Sequence, residues 1–139
     1  MNQTELEKNK AVINRFDQAC IVHNDEQVLN ELVVDDIKNH AAPEGAPNGK
    51  GSFRHFLNLL HNGLSDIKVE VLLQVAENDF VITRKTIGGL HTGNFMGVPQ
   101  TGKPFVFEAI EIIRLENGKY VEHWVQSDLS EKLGSISAH

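Results

Sequence analysis

The sequence is poor in cysteine and has no long apolar run. Cys20 is the single cysteine, so no disulfide can form within the chain, and its apolar helical surroundings indicate an inert core thiol. No apolar run reaches the roughly 20 residues that a membrane-spanning helix needs. The polar N-terminus lacks the apolar segment of a signal peptide. We therefore expect a cytoplasmic protein with no membrane partner.

Basic residues are outnumbered by acidic ones, with 13 Lys and Arg against 19 Asp and Glu, which gives a formal charge of −6. This balance excludes a general affinity for nucleic acid or anionic surfaces. The 7 histidines form no HxH or HExxH pattern, and a paired cysteine is lacking, so we expect no metal. The 139 residues contain no repeat and no linker, which predicts one domain over residues 1–139.

The first half of the chain has a helical period. In the first predicted helix, apolar residues recur at spacings of three and four: Leu6, Val12, Ile13, Phe16, Ala19 and Cys20. Thr4 and Glu7 have the spacing of a capping box at its start. Asn24 or Asp25 can cap a second, short helical unit, which is predicted to end at Asn39 and His40, and a third helix is predicted from Ser52.

The second half changes to a period of two, which predicts strands: Ile67–Val75, Asp79–Ile87, Phe105–Leu115 and Tyr120–Ser127. The connections after Val75 and Leu115 are short, so neighbouring strands are expected to be antiparallel. Three helices followed by at least four such strands predict an α+β domain, with the helices covering one face of the sheet.

The segment "YVEHWVQSD" reads as a strand with an unusual face. Strict alternation places Tyr120, Glu122, Trp124, Gln126 and Asp128 on one side. That side is too polar for an ordinary core, and its Trp is too large for an ordinary solvent face. The strand is therefore either an edge with one wet side or a wall of a pocket.

Two acids interrupt the apolar strand Phe105–Leu115. Glu108 and Glu111 have opposite parity and so face opposite sides of the sheet. A single acid on an apolar face is costly to bury without a partner. Glu111 is therefore expected either at a pocket wall or in an ion pair, for example with Arg84. Arg84 in turn either reaches the pocket or only pairs with a glutamate.

Four local motifs carry a resemblance to a known family. They are "NH" at 39–40, "GKGSFRHFL" at 49–57, "HTGNFMGVPQTGKP" at 91–104 and "EHWVQSD" at 122–128. With the order of elements, they make the chain resemble, from about Asn9 to Leu133, the SnoaL-like polyketide cyclases of the nuclear-transport-factor-2-like superfamily. The resemblance implies a cystatin-like α+β cone, in which a strongly bent antiparallel or mixed sheet encloses a pocket. It also implies a homodimer formed through the outer sheet face.

The resemblance further implies an activity. The related cyclases close a polyketide ring by intramolecular aldol condensation, without metal or organic cofactor. An acid near the end of the last strand serves as general acid/base, and Asp128 matches it. Asp128 is also a preferred N-cap residue for a helix that begins in "SDLSEKL". Beside it, Trp124 would form an apolar wall that excludes water.

The same resemblance assigns polar partners to the substrate. His91 would hydrogen-bond the substrate carbonyl or enolate, or else it is an ordinary loop histidine. Asn39 would be a polar pocket residue or a turn residue, with His40 supporting either role. Phe95 would line the pocket or belong to the core. The related cyclases often have an acid at the position of Glu111.

The sequence therefore favours a cofactor-independent cyclase that acts on a hydrophobic carbonyl compound by general acid/base chemistry. The alternative is a module of the same fold that binds a hydrophobic small molecule without converting it, since this fold hosts many functions. A third interpretation is a scaffold that acts through dimerisation.

Overall fold

The computed structural model describes residues 2–42, 44–45 and 48–137, and its helices pack on one sheet. In chain order, the elements are α1 (Gln3–Phe16), a π-helical turn (Asp17–Val22), α2 (Glu26–Leu32), β1 (Val33–Asn39), α3 (Lys50–Gly63), β2 (Leu64–Glu77), β3 (Phe80–His91), β4 (Pro104–Glu116), β5 (Lys119–Ser127) and α4 (Leu129–Ser137). The predicted α+β class is confirmed, with the helices packed on a curved sheet of five strands in the order β1-β5-β4-β3-β2. None of the described helices is long and apolar enough to cross a membrane.

The sheet is mixed because its first strand is parallel to its last. β2, β3, β4 and β5 pair as antiparallel neighbours, whereas β1 runs parallel to β5. The sequence predicted a helical unit that continued to Asn39, and this is wrong: the helix ends at Leu32. Val33 and Ile37 are β-branched and fully buried, so strand geometry packs them better than a helix would.

The helix starts are only partly those that the sequence predicted. Asn2, rather than Thr4, caps α1, and its side chain accepts the backbone N–H of Glu5 at 2.9 Å. Asp25 caps α2 as predicted, and its carboxylate accepts the backbone N–H of Gln27 at 3.0 Å. The predicted capping box therefore begins two residues too late.

One β-bulge changes which side chains of β5 face the core. Tyr120 pairs with Leu115, but Glu122 pairs with Arg114, so Val121 is an extra residue between the two rungs. Tyr120 therefore lies on the helix-covered inner face, whereas Glu122 and the residues at alternate positions after it lie on the outer face. The prediction of one shared face from Tyr120 to Asp128 is wrong for this reason.

The inner and outer faces of the sheet differ in what covers them. The inner face packs against the helices in one continuous apolar core. The outer face leaves large apolar side chains partly exposed: Leu73, Val75, Ile82, Val106 and Ile110. The inner face also carries buried polar side chains, among them Lys85 and Glu111.

Candidate active site

Five polar side chains form a continuous line of contacts through the apolar core; we call it the buried polar chain. Lys85 Nζ donates to Asp17 Oδ1 at 2.7 Å and to Glu111 Oε1 at 2.6 Å. Glu111 Oε2 lies 3.3 Å from His123 Nε2, and His123 Nδ1 lies 2.9 Å from Asn39 Oδ1. The line thus joins the end of α1 to the end of β1.

Each member is placed by the element that carries it. Lys85, Glu111 and His123 alternate with outward-facing neighbours on β3, β4 and β5, so all three reach the inner face. Asp17 begins the π-helical turn that follows α1. Such turns are rare and frequently occur at functional sites.

The orientation of Asn39 is fixed by its other hydrogen bonds. Its Nδ2 donates to Ser52 Oγ at 2.9 Å, and its Oδ1 accepts the backbone N–H of Ala41 at 3.0 Å. Asn39 therefore offers His123 an acceptor, and Glu111 offers the other ring nitrogen an acceptor as well.

Burial acts on the two carboxylates with different results. Burial raises the pKa of Asp17 to about 6, because it outweighs the lowering by Lys85, and the charge of Glu111 raises it further. Burial also acts to raise the pKa of Glu111, but the Lys85 ammonium and the His123 hydrogen bond lower it to about 2. Of the two carboxyl groups in the buried polar chain, that of Asp17 therefore has the pKa closer to neutral pH.

Asp17 is buried, with 2% of the residue exposed, but it is one of the residues that line a cleft. A cleft of about 250 Å³ separates α1 from β2, and it is lined by Asn14, Asp17, Gln18, Val69, Val71 and Gln74. Asp17 Oδ2 has no hydrogen-bond partner among the described residues, and the hydroxyl of the buried Tyr120 is in the same state. A second cleft, of about 580 Å³, is lined by residues 22–23, 61 and 64–68, and it contains none of the predicted site residues.

Of the predicted site residues, only Asn39 and Glu111 belong to the buried polar chain. Arg84 lies on the outer face, where it forms an ion pair with Glu108. The suggested pairing of Arg84 with Glu111 is therefore wrong, because the two face opposite sides of the sheet and Lys85 is the partner of Glu111.

His91 is the last residue of β3, and Phe95 lies in the loop that joins β3 to β4. Both side chains are buried. His91 Nε2 donates to the carbonyl of Val98 at 3.2 Å, so its Nδ1 accepts from Thr101 Oγ1 at 3.1 Å. Phe95 is fully buried, and its ring packs 5.5 Å from that of Phe105. Both ring nitrogens of His91 thus hold the loop in place.

His40 and Trp124 meet on the outer side of β5. Their rings stack at 4.8 Å with an interplanar angle of 10°, and His40 Nε2 lies 2.7 Å from Glu122 Oε2. The β-bulge at Val121 is the reason that Trp124 faces outward. The indole therefore does not line the buried polar chain.

Asp128 follows β5 directly and joins it to β4. Its carboxylate accepts the backbone N–H of Glu108 at 2.8 Å, and its carbonyl accepts the backbone N–H of Lys132 at 3.0 Å in the first turn of α4. In the hydrogen bonds and ion pairs of the described residues, Asp128 contacts no member of the buried polar chain. The catalytic roles of Asp128 and His91 stay predictions.

Sequence reasoning missed Asp17, Lys85 and His123 as site residues, although two of them left a signal. Lys85 shares the parity of Val81 and Ile87 on β3, so alternation already places it on an apolar face. Asp17 falls four residues after Ile13 and three before Cys20, within the apolar stripe of its helix.

Comparisons with known proteins agree with this architecture. A family model described as SnoaL-like polyketide cyclase matches residues 11–134. No curated protein shows a significant match to the chain.

Solved structures cover almost the whole chain. IdmH from Streptomyces antibioticus, a proposed polyketide cyclase, is 27% identical, with 92% of this chain and 97% of that chain covered and a TM-score of 0.78. AclR from Streptomyces galilaeus, a proposed hydroxylase, is 25% identical, with 94% and 98% covered and a TM-score of 0.79. A proposed SnoaL-like polyketide cyclase from Jannaschia sp. CCS1 is 21% identical, with 100% and 99% covered and a TM-score of 0.82, and it supports the fold alone.

Proposed function

The chain belongs to the SnoaL-like polyketide cyclase family, and on this premise we propose a cofactor-independent cyclase that closes a ring in a hydrophobic carbonyl compound. The observation that best supports this chemistry is the buried polar chain, whose Asp17 end lines a cleft. Aldol closure needs a base for the proton beside a carbonyl, stabilisation of the enolate and an acid for the new alkoxide. The buried polar chain offers a group for each of these tasks.

Asp17 is the base in this proposal. Its ionised carboxylate removes a proton from the carbon beside the carbonyl, and the enolate carbon then attacks the second carbonyl to form the new C–C bond. The resulting alkoxide takes the proton back from Asp17, so the carboxylate is restored. A base with a pKa of about 6 suits this exchange near neutral pH, and such catalysis contributes about 10²–10⁴ in rate.

Lys85 stabilises the negative charge that develops on the enolate oxygen. Its ammonium is fully buried, and a charge in an apolar setting interacts more strongly than it does in water. Burial acts to lower the pKa of Lys85, but Glu111 and Asp17 outweigh that effect and raise it. Glu111, held by His123 and Asn39, is a positioning residue that keeps the ammonium charged and in place.

Deuterium exchange at the α-carbon of 1-tetralone in D₂O tests the first proton transfer without knowledge of the natural substrate. We expect Asp17→Asn to lower the enzyme-dependent exchange rate about 10²- to 10⁴-fold. Asp128→Asn is the competing variant, because the family resemblance assigns the base to Asp128. An unchanged rate for Asp17→Asn, or an equal loss for Asp128→Asn, contradicts the role of Asp17.

A second function is binding without conversion. Asp17 is only 2% exposed, so a molecule in the cleft of about 250 Å³ can bind there without contact with the Asp17 carboxylate. A hydrophobic molecule recovered with the purified protein, bound equally by wild type and Asp17→Asn and never converted, would support this alternative.

We also propose a homodimer. The exposed apolar side chains of the outer sheet face, from Leu73 to Ile110, lie on three adjacent strands around the Arg84–Glu108 ion pair. Surfaces of this kind on a protein usually mark an interface.

A further inference from the structure

Two buried polar atoms of the inner face have no hydrogen-bond partner among the described residues. They are Asp17 Oδ2 and the hydroxyl oxygen of Tyr120. Native proteins rarely leave such atoms unpaired, because the lost hydrogen bond is not recovered from water. The described residues therefore leave both atoms open to a partner from outside that part of the chain.

The two atoms belong to one neighbourhood. The ring of Phe16, the residue before Asp17, packs 4.8 Å from the ring of Tyr120. Burial raises the pKa of Tyr120 well above its ordinary value, and the carboxylates of Glu111 and Asp17 raise it further, as nearby negative charges do. Tyr120 thus lies beside the acidic end of the buried polar chain.

The position of the Tyr120 ring is fixed on both sides. Phe16 packs against it, and the Phe53 ring meets it edge-on at 6.2 Å. The side chain is 1% exposed, so its hydroxyl has little freedom to turn toward bulk water. The ring therefore holds its hydroxyl in a fixed place, and donors on a fixed frame are a feature of preorganised sites.

The chemistry of the two atoms defines the partner. The phenol of Tyr120 is a donor, and the carboxylate of Asp17 is an acceptor. One hydroxyl oxygen on an apolar frame satisfies both at once, because it accepts from the phenol and donates to the carboxylate. An enol has this oxygen, and so does a phenol, which is its stable analogue.

We propose that Tyr120 and Asp17 form one binding position for the enol oxygen of the substrate, with Tyr120 donating to that oxygen as it becomes an enolate. This assignment rests on the proposed function, and it requires the Asp17 cleft to extend inward to Tyr120, which is not one of its lining residues. It adds Tyr120 as a catalytic residue that stabilises the enolate oxygen together with Lys85.

Binding of 2-naphthol tests this position without turnover. Its hydroxyl accepts and donates, whereas 2-methoxynaphthalene keeps the ring and only accepts. By titration calorimetry, we expect wild type to bind 2-naphthol at least about tenfold more tightly than the ether, which is the value of roughly one well-made hydrogen bond. Tyr120→Phe should weaken the binding of both molecules, because the phenol donates to the oxygen of each. Asp17→Asn should abolish most of the preference, because only the naphthol hydroxyl donates to Asp17.

The melting temperature of ligand-free Tyr120→Phe distinguishes a substrate-binding hydroxyl from a purely structural one. We expect it to equal or exceed that of wild type, because an unpaired buried hydroxyl has been removed. A clear drop together with unchanged naphthol affinity means that the hydroxyl only holds an internal water, and it overturns the proposal. Failure of wild type to prefer 2-naphthol also overturns it.

The deuterium-exchange test of the cyclase chemistry and the naphthol-binding test of Tyr120 can fail independently of each other. A naphthol affinity that depends on Tyr120, combined with no deuterium exchange into 1-tetralone, supports the oxygen-binding position and contradicts the cyclase chemistry. Exchange that is lost in Asp17→Asn but unaffected in Tyr120→Phe supports the base and contradicts the role of Tyr120.

Discussion

Lys85 is the residue on which the charge balance of the core depends. It contacts the carboxylates of Asp17 and Glu111 and has almost no exposure to water. Removal of one partner from a buried ionic cluster leaves the remaining charges uncompensated, which is far more costly than the loss of a surface ion pair. The same residue therefore serves stability and, in the proposed reaction, enolate stabilisation.

We predict that Lys85→Met lowers the free energy of unfolding by about 3–5 kcal/mol, because two carboxylates lose their cation. Urea denaturation measures the change. Lys68→Met on the exposed side of β2 is the matched control and should stay within about 0.5 kcal/mol of wild type. A Lys85→Met protein as stable as the control would show that Asp17 and Glu111 are not ionised together.

The carboxyl group of Glu111 predicts an acid-labile contribution to stability. Its pKa falls from the ordinary 4.5 to about 2 on folding. The lowered pKa contributes stability that is present above pH 4.5 and is lost as the pH falls toward 2. At about 1.4 kcal/mol per pKa unit, this amounts to about 3 kcal/mol.

Comparison of wild type with Glu111→Gln over this pH range tests the prediction by denaturant unfolding. The stability difference should be smallest near pH 2, grow up to about pH 4.5 and stay level above it. Glu70→Gln, on the exposed side of β2, should show a flat difference. A Glu111→Gln difference that is also flat contradicts a lowered pKa.

The carboxyl group of Asp17 affects stability with the opposite pH dependence. Its pKa rises from 3.8 to about 6 on folding, so its contribution is complete below pH 3.8 and is lost as the pH rises to about 6. We predict that Asp17→Asn removes this decline between pH 4 and 6, measured against wild type in the same unfolding series. A decline that persists in the variant contradicts the raised pKa.

At the scale of the elements, the junction after β5 depends on Asp128. Its carboxylate holds the backbone N–H of Glu108, and α4 begins directly after it. We predict that Asp128→Ala costs about 1–2 kcal/mol and speeds hydrogen exchange at the Glu108 amide. Glu131→Ala, exposed within α4, is the control. Normal stability combined with lost activity would instead support the catalytic role that the sequence predicted for Asp128.

Alternation along the strands predicted much of the fold but could not detect where alternation breaks. The rule worked on β4, where Glu111 faces inward and Glu108 outward as expected. It failed on β5, because a bulge at Val121 depends on the register with β4 and leaves no mark in the sequence. Trp124 was therefore assigned to the pocket side.

The site was harder to predict than the fold because its partners are distant in sequence. Asp17 and Lys85 are 68 positions apart, and only the packing of α1 across β3 brings them together. Glu111 was recognised as an acid that needs a partner, but the choice between Arg84 and Lys85 depends on which face each residue takes. β1 was missed because its short, partly charged run resembles the end of a helix.

At the scale of the whole molecule, the outer side of the sheet exposes several large apolar side chains on three adjacent strands. We predict that wild type forms a homodimer through this face and that the double variant Val106→Lys, Ile110→Lys is a monomer, because both side chains are about half exposed there. Light scattering gives the mass. Glu5→Lys adds charge on α1, which covers the opposite face of the sheet, and should leave the dimer intact. A wild-type mass of one chain contradicts the prediction.

The bulge in β5 also separates the only two strongly absorbing side chains of the protein. Tyr120 faces the core, and Trp124 faces outward against His40. The indole emission should therefore report on what touches the outside of the sheet. The near-ultraviolet circular dichroism of the phenol should report on what enters the core. One unlabelled sample thus contains two optical reporters, one for self-association and one for ligand binding.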